Sequence, residues 1–152
     1  MRDIPAAETA LLLCDLQNDV LHPEGAYARG GHFAPGAWGQ ALVDALQPAH
    51  FMVEKMACSA FHMSRLEWVL RKWVLQKAGI RRGIAAGIVT NGGAAPTVGE
   101  AHVREFTPSV LPDGCAAFSA ELHETAIAGL RPVARVLTMA EAMAGLGQGG
   151  AA

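Results

Sequence analysis

Three places in the chain carry residues whose types could support acid–base chemistry. Asp15 ends the apolar run TALLLCD, and Lys55 ends the run FMVEK. An aspartate close to an ammonium group can stay ionised and positioned for proton transfer. The third place is GIVTNGGAAPTV (87–98), where a buried strand would pass through a glycine-rich bend into a helix. Bends of this kind often hold a nucleophile, but this one contains neither cysteine nor serine.

The sequence predicts that these places lie at strand ends of one sheet. Continuous apolar runs are typical of parallel strands that helices cover on both faces. Helical patterns lie between the runs, so we predict an α/β fold with a doubly wound (Rossmann-like) parallel sheet flanked by helices. Ligand sites in such sheets lie beyond the carboxyl ends of the strands, where Asp15, Lys55 and the bend would meet if their strands are neighbours. The five predicted strands are TALLLCD, FMVEK, RGIAAGIVTN, PSVLPDG and VARVLT.

Capping patterns mark the predicted helices. Ser64 and Glu67 form a capping box before RLEWVLRKWVLQKAG, and Gly79 is a stop signal. Pro96 suits the first turn of a helix that runs to about Phe106. The N-cap residues of the last two helices are Ser119 and, in a second capping box with Glu141, Thr138.

Composition limits the class of protein. A chain of 152 residues is long enough for one domain with a real core. Its net charge of -2, without a block of like charges, argues against a nucleic-acid partner. Neither a secretory signal nor a membrane-spanning stretch is present in the sequence, and three cysteines without metal-like spacing favour reduced thiols. We therefore predict a cytoplasmic protein with one domain over 1–145 and a disordered tail over 146–152.

Four segments resemble the isochorismatase-like hydrolases, also called the cysteine hydrolase superfamily. LLLCDLQNDVLHPEGAY is similar to the opening strand and loop of that family. VEKMACSAFHMSRLEWVLRK is similar to the segment with its lysine and its Ser-Ala-Phe signature. GIVTNGGAAPTVGEAHVREF and VLPDGCAAFSAELHETAI are similar to its third motif region and to the strand and helix that follow. The resemblance implies that Asp15 is the acid/base aspartate of the family and Lys55 its lysine.

The resemblance also places a glycine where part of the family has its nucleophile. In the amidase branch, the residue after Thr-Asn-x is a catalytic cysteine, and that position is Gly93 here. The bend of the family usually has a non-proline cis peptide, and its backbone amides form an oxyanion hole. Isochorismatases, which cleave a vinyl ether, resemble this chain in having glycine at that position. In them an aspartate acts as general acid and water completes the hydrolysis.

The predicted function is therefore hydrolysis of a small molecule by Asp15-dependent general acid/base catalysis, without a cysteine nucleophile. Two alternatives stay open. One is a catalytically silent binding or scaffold protein with an isochorismatase fold. The other is an amidase with a relocated cysteine. Cys58 is the candidate nucleophile, because it lies shortly after Lys55. Cys14 should point to the opposite face of its strand from Asp15, and Cys115 is more typical of a core residue.

The predicted substrate-binding residues are Gln17, Phe61, Asn91 and Gly92. Gln17 either takes part in turn formation or holds Asp15 or Lys55 in place. Phe61 either lines the pocket, as the signature implies, or packs in the core. We predict no metal, because the six histidines form no His-x-His or His-x-x-x-His pair. We also predict no cofactor, since the glycines of the bend belong neither to a P-loop nor to a G-x-G-x-x-G motif. Arg104 and Arg131 are interpreted as solvated helix residues.

Two features depart from the family pattern. The span from Asp15 to Lys55 is short, and its segment GAWGQALVDAL could supply only one short helix, so one strand–helix unit is predicted to be missing. WVLRK at 68–72 is followed by WVLQK at 73–77. Five residues turn a helix by roughly 500°, so the two tryptophans cannot share one face. This predicts either a longer helix with a partly exposed tryptophan or a new oligomer contact. The resemblance implies a homo-oligomer, because members of the family commonly pair through helices beside the sheet.

Overall fold

A computed structural model describes residues 4–32, 34, 36–74 and 80–148 of the chain. The described strands pair in parallel, in the order β1-β2-β3-β4. Between β1 and β2 the described residues form short helices and turns and no strand. The prediction that one family unit is missing there stays a prediction. The strands are β1 (Thr9–Cys14), β2 (Arg82–Ile88), β3 (Thr107–Ala116) and β4 (Arg135–Val136).

Helices of several kinds connect the strands. Among the described residues, two segments have the wider π-helical hydrogen bonding, and three short ones are 3-10 turns. The α-helices are α1 (Asn18–Leu21), α2 (Ala26–Arg29), α3 (Leu66–Trp68), α4 (Ala95–Val103), α5 (Ala120–Leu130) and α6 (Met139–Gln148). The π-helical segments are Val69–Val74 and Thr90–Ala94, and the 3-10 turns are Ala6–Glu8, Trp38–Gln40 and Asp44–Leu46.

Alternate residues of β2 pack on opposite faces of the sheet. Ile84 and Ala86 lie in a cluster with Ala142 of α6, whereas Ala85 lies in a cluster with Val98 of α4 and Ile127 of α5. A strand with both faces buried must be apolar throughout, which is the pattern from which the parallel sheet was predicted. The α/β fold with a parallel sheet flanked by helices is confirmed.

The chain forms two compact units, of which the first contains residues 4–14 and the described residues of 53–148. The second unit contains the described residues of 15–52. Within it, the Asn18 side-chain amide donates to the carbonyl of Trp38 at 3.1 Å, and the Asp19 carboxylate accepts from the amide of Ala26 at 3.0 Å. Both side chains are buried, so their polar groups need these partners. The prediction of one domain over 1–145 stays a prediction.

The strand predicted at FMVEK is wrong. Residues 51–55 have no regular secondary structure, and Phe51 and Met52 are 48% and 59% exposed. A strand of the sheet interior would have buried these side chains. A five-residue apolar run is too short for periodicity to distinguish a strand from extended coil. Lys55 therefore does not stand at a strand end.

Three helix predictions also need correction. GAWGQALVDAL forms two 3-10 turns instead of one short helix. Ser64 Oγ accepts from the amide of Leu66 at 3.1 Å, and Glu67 binds two arginines instead of closing a capping box. α6 reaches Gln148, so residues 146–148 of the predicted tail are helical. The predicted stop at Gly79 and residues 149–152 lie outside the described residues.

The other helix starts are confirmed. Pro96 lies in the first turn of α4, which ends at Val103, three residues before the predicted end. Ser119 Oγ accepts from the amide of Leu122 at 3.2 Å. Thr138 and Glu141 exchange hydrogen bonds in a capping box: the Glu141 carboxylate accepts from the Thr138 amide at 2.8 Å, and Thr138 Oγ1 accepts from the Glu141 amide at 3.2 Å.

Glu67 links α3 to the end of α4 by ion pairs. Its carboxylate lies 2.8 Å from Arg71 Nε and 2.9 Å from Arg104 Nε. The hydrogen bond from Arg71, and then that from Arg104, lowers the pKa of the Glu67 carboxyl. Arg104 also lies over the ring of Phe61 at 5.1 Å from its centroid, so it packs and pairs instead of being the solvated residue we predicted. Arg131 is exposed, as predicted.

Glu67→Gln is expected to lower the free energy of unfolding at neutral pH by less than about 1 kcal/mol, because solvent screens these partly exposed ion pairs. Since folding lowers this pKa, the ion pairs stabilise the fold above the unfolded-state pKa and lose their effect as the pH falls through the folded-state value. Urea denaturation of both proteins at neutral and acidic pH measures the difference. Glu124→Gln, at an exposed position of α5, controls for loss of one negative charge; a difference that persists in acid would contradict the prediction.

Candidate active site

The carboxyl ends of β1 and β2 lie at the same edge of the sheet. The two strands are parallel neighbours, with Cys14 opposite Gly87. Asp15 directly follows Cys14 and has a φ of 56°, a left-handed conformation that aspartate adopts more readily than most residues. β2 ends at Ile88 and leads into the bend at 90–94. Asp15 and the bend therefore follow strands that end at the same edge of the sheet. These strands are the first and third that the sequence predicted.

Gly87 allows β1 and β2 to approach closely at this edge. Its φ is 138°, and an added Cβ would lie 2.1 Å from the carbonyl oxygen of Cys14. Only glycine fits such a position without overlap. The register between β2 and β3 also shifts between Ala85 and Gly87. A glycine inside an apolar strand is a known sign of such irregularity, so the sequence did contain a signal for this contact.

The bend begins after a cis peptide between Ile88 and Val89, which confirms the non-proline cis peptide that the resemblance implied. The amides of Gly92, Gly93 and Ala94 all point to the carbonyl oxygen of Val89, at 3.1, 2.7 and 3.3 Å. An anion at these amides would therefore compete with that carbonyl. Asn91 is exposed and Gly93 is buried. Their roles as substrate-binding residue and nucleophile position stay predictions.

Two buried threonines hold the bend. The sequence placed Thr90 in the bend but gave no sign of its hydrogen bond, and Thr97 was missed. Thr90 Oγ1 lies 2.8 Å from His123 Nδ1 of α5. Thr97 Oγ1 of α4 donates to the carbonyl of Gly93 at 2.8 Å and accepts from the amide of Ala60 at 3.0 Å. Both threonines are completely buried. Thr97 stands four residues after Gly93, a spacing at which a helical threonine commonly bonds the preceding turn, whereas no local signal pointed to His123.

Lys55 and Gln17 lie in different compact units. Lys55 Nζ donates to the carbonyl of Ala57 at 2.8 Å. In the other unit, Gln17 forms an isolated antiparallel bridge with Leu42, and its carbonyl accepts from the amides of Val20 and Leu21 in α1. The turn-forming role of Gln17 is thus carried by its backbone. Pairing of Asp15 with Lys55 stays a prediction.

Phe61 packs in the core of the first unit. It is 4% exposed and lies in a cluster with Leu66, Leu70, Ala101 and Phe106. Its ring centroid is 5.9 Å from that of Phe106. Of its two predicted roles, packing is the one that these contacts support, because a ring this buried has little surface left for a ligand.

The cysteines differ in their access to solvent. Cys14 is buried, with its Sγ 3.9 Å from Thr97 Oγ1, and Cys58 is exposed. Burial raises the pKa of the Cys115 thiol, which packs beside the cluster between α4, α5 and the sheet. A raised pKa disfavours the reactive thiolate. Cys115 therefore suits the core role predicted for it.

Within the described ranges, no three His, Cys, Asp or Glu side chains gather in a way that could hold a metal ion. None of the helices in the described part of the chain is long and apolar enough to cross a membrane.

The chain is similar to known proteins in sequence and in fold. Residues 23–141 match the model of the isochorismatase domain. Nicotinamidase 3 of Arabidopsis thaliana is 35% identical over 79 residues, which are 52% of this chain and only 37% of that relative. The chain thus covers little more than a third of the length of that protein.

Two solved structures share the fold over almost their whole length. A cysteine hydrolase from Pseudomonas syringae pv. phaseolicola 1448A has a TM-score of 0.82 at 19% identity, over 98% of this chain and 97% of that one. An isochorismatase-like hydrolase from Alkaliphilus metalliredigens has a TM-score of 0.77 at 20% identity, over 91% of this chain and 96% of that one. At identities this low, the likeness is one of fold.

Proposed function

Since the chain belongs to the isochorismatase domain family, we propose that it hydrolyses a small molecule with Asp15 as general acid and base and without a cysteine nucleophile. One observation carries the proposal: the strand that precedes Asp15 is the parallel neighbour of the strand that precedes the Thr-Asn-Gly-Gly bend. Residues at adjoining carboxyl ends of a parallel sheet are the usual source of ligand-binding groups. The bend has glycine where an amidase of this family would have its thiol.

The proposed reaction is hydrolysis of a vinyl ether. Asp15 in its acid form gives a proton to the enol ether carbon, and the resulting oxocarbenium ion takes up water. Loss of a proton from that water returns Asp15 to its acid form, and the hemiketal breaks into a ketone and an alcohol. The ammonium of Lys55 would stabilise the carboxylate that exists between the two proton transfers. No acyl-enzyme forms in this scheme, so no thiol is needed.

Amide hydrolysis, the activity in the name of the Arabidopsis relative, is less well supported by the described residues. That route needs an activated nucleophile. Cys14 is buried, and Cys115 has a raised pKa. Cys58 is exposed and is the one thiol whose alkylation could test a relocated nucleophile.

Asp15→Asn is expected to reduce turnover of isochorismate by about 100-fold or more, because general acid–base catalysis usually contributes at least that factor. The wild-type chain and the variant are assayed on isochorismate, nicotinamide, simple amides and ureides. Asp44→Asn is the matched control, since Asp44 is an exposed aspartate whose Oδ1 accepts from the Gln47 side chain, as an asparagine oxygen also can. Circular dichroism checks that all three proteins are folded.

The outcomes separate the candidate functions. Turnover of the vinyl ether alone, lost in Asp15→Asn and kept in Asp44→Asn, supports the proposal. Turnover that survives Asp15→Asn removes Asp15 from its role. Hydrolysis of amides that iodoacetamide abolishes would favour an amidase that uses Cys58. A folded wild-type chain that binds a substrate analogue without any turnover would be a binding or scaffold protein.

A further inference from the structure

One side chain touches three separate segments of the candidate site. Thr97 Oγ1 donates to the carbonyl of Gly93 in the bend and accepts from the amide of Ala60. Cys14 Sγ, at the end of β1, lies 3.9 Å from the same oxygen. Thr97 has no exposed surface. Its hydroxyl therefore joins the end of β1, the segment after Lys55 and the bend at one point.

The bond to Gly93 alone would not indicate a functional role for Thr97. Threonine hydroxyls in helices commonly bond the carbonyl four residues earlier, and such a bond only shapes the helix. The bond from Ala60 is different, because it joins residues 37 positions apart. Ala60 lies in a turn that local hydrogen bonds close, since the His62 amide donates to the Ser59 carbonyl and the Phe61 amide to Ser59 Oγ. The bond from Ala60 to Thr97 ties this turn to the bend. A hydroxyl that serves both bonds couples the position of that turn to the position of the bend.

We infer that Thr97 is a positioning residue, which sets the bend at Gly93 against the segment with Lys55 through its two hydrogen bonds. This inference rests on the proposed function, since those are the segments that the proposed reaction uses. Thr97 itself is enclosed by protein and acts through Gly93 and Ala60. Replacement of its hydroxyl by a methyl group leaves the Ala60 amide and the Gly93 carbonyl without their shared partner and uncouples the two segments.

The first test compares Thr97→Val with Thr97→Ser. Valine keeps the branched shape and removes the hydroxyl, whereas serine keeps the hydroxyl and removes the methyl group. For the substrate that the wild-type chain turns over, Thr97→Val is expected to lower kcat by about 10- to 100-fold, since misplacement by about 1 Å can cost the larger factor. KM should change by less than about threefold, and Thr97→Ser should restore most of the kcat. Equal losses in both variants would assign Thr97 to packing and overturn the inference.

The second test does not need hydrolytic activity. A thiol introduced by Gly93→Cys, in a chain that also has Cys58→Ser, reports on the bend through its rate of alkylation by iodoacetamide as a function of pH. The alkylation rate is proportional to the fraction of thiolate, and that fraction depends on the surroundings of the sulfur. Thr97→Val should therefore change the alkylation rate at neutral pH by about fivefold or more. Thr97→Ser should change it by less than about twofold. No change with Thr97→Val overturns the inference even if the chain is an active hydrolase.

The two proposals can therefore fail separately. Suppose that the chain shows no turnover, and that Thr97→Val changes the alkylation rate of the thiol at position 93 while Thr97→Ser does not. The inference that Thr97 links the two segments would then be supported, and the proposed hydrolase function would be wrong. If Thr97→Val does not fold, hydrogen exchange of the wild-type chain decides. The Ala60 amide should then exchange at least about 100-fold more slowly than an open amide, since its acceptor is fully buried. Fast exchange of that amide would overturn the inference.

Discussion

Gly87→Ala is expected to destabilise the protein by about 3–5 kcal/mol, the range of severe backbone and packing defects. Two effects add at this position. The φ of 138° is one that L-residues rarely adopt, and the new Cβ would lie 2.1 Å from the carbonyl oxygen of Cys14. That oxygen belongs to backbone on the neighbouring strand, so no side-chain rotation relieves the overlap. The strands must separate just where Asp15 leaves β1.

Urea denaturation followed by circular dichroism measures this loss. Gly99→Ala is the matched control, because Gly99 lies in α4 and an added Cβ there meets no atom within 4 Å. Alanine in a helix interior is favoured over glycine, so Gly99→Ala should stabilise the protein by about 0.5–1 kcal/mol. If Gly87→Ala came within about 1 kcal/mol of the wild-type chain, the close approach of the strands would not be a constraint on the fold.

The parts of the fold that could be predicted are those whose signal is local. β1 was predicted from its continuous apolar run, and side chains from both of its faces pack on core clusters: Leu13 on one, Ala10 and Leu12 on the other. Leu11 is nevertheless 59% exposed. Ser119 and the pair Thr138 and Glu141 cap their helices through bonds that span three residues, so the spacing alone was sufficient. The cis peptide before the bend came from the family resemblance.

The parts that could not be predicted depend on partners far along the chain. Ser64 and Glu67 have the spacing of a capping box, but Arg104 competes for the Glu67 carboxylate from 37 positions away. FMVEK has the composition of a strand, yet the described part of the sheet contains no partner for it. Local propensity is a weak prior that tertiary contacts override.

The same limit applies to the candidate site. Asp15 and the bend could be named because each follows an apolar strand, and position at a strand end is itself a functional signal. Thr97 and His123 could not, because their contacts to Ala60 and Thr90 join residues 37 and 33 positions apart. These residues matter to the site through what they hold in place, and a single sequence does not show which of its polar side chains become buried.

Gly93→Cys is expected to give the chain a reactive thiol and, with it, hydrolysis of simple amides. Position 93 lies in the bend directly before α4, so a thiol there would be close to the positive end of a nine-residue helix. Such surroundings lower the pKa of a thiol and raise the fraction of thiolate at neutral pH. Alkylation by iodoacetamide should be about tenfold faster than at Cys58, which is exposed.

Gly92→Cys is the matched control in the same bend. A Cβ at Gly92 would lie 2.8 Å from Cγ2 of Val89, so a side chain there is strained, and the resemblance places the nucleophile at 93 and not at 92. Both variants are made together with Cys58→Ser, which removes the exposed thiol of the wild-type chain. If position 93 is the nucleophile position, only Gly93→Cys should acquire amide hydrolysis, and Asp15→Asn should remove it, because the same carboxylate would then deprotonate the thiol.

Acquired amide hydrolysis would mean that one glycine separates this chain from the amidase chemistry of its family and that the rest of the machinery is in place. A rapidly alkylated thiol without amide hydrolysis would show that the bend activates a nucleophile while the chain fails to bind or protonate an amide. If the thiol at position 93 is alkylated no faster than the thiol at position 92, position 93 is not the nucleophile position. The proposal that this glycine redirects the reaction from amides to vinyl ethers would then also be wrong.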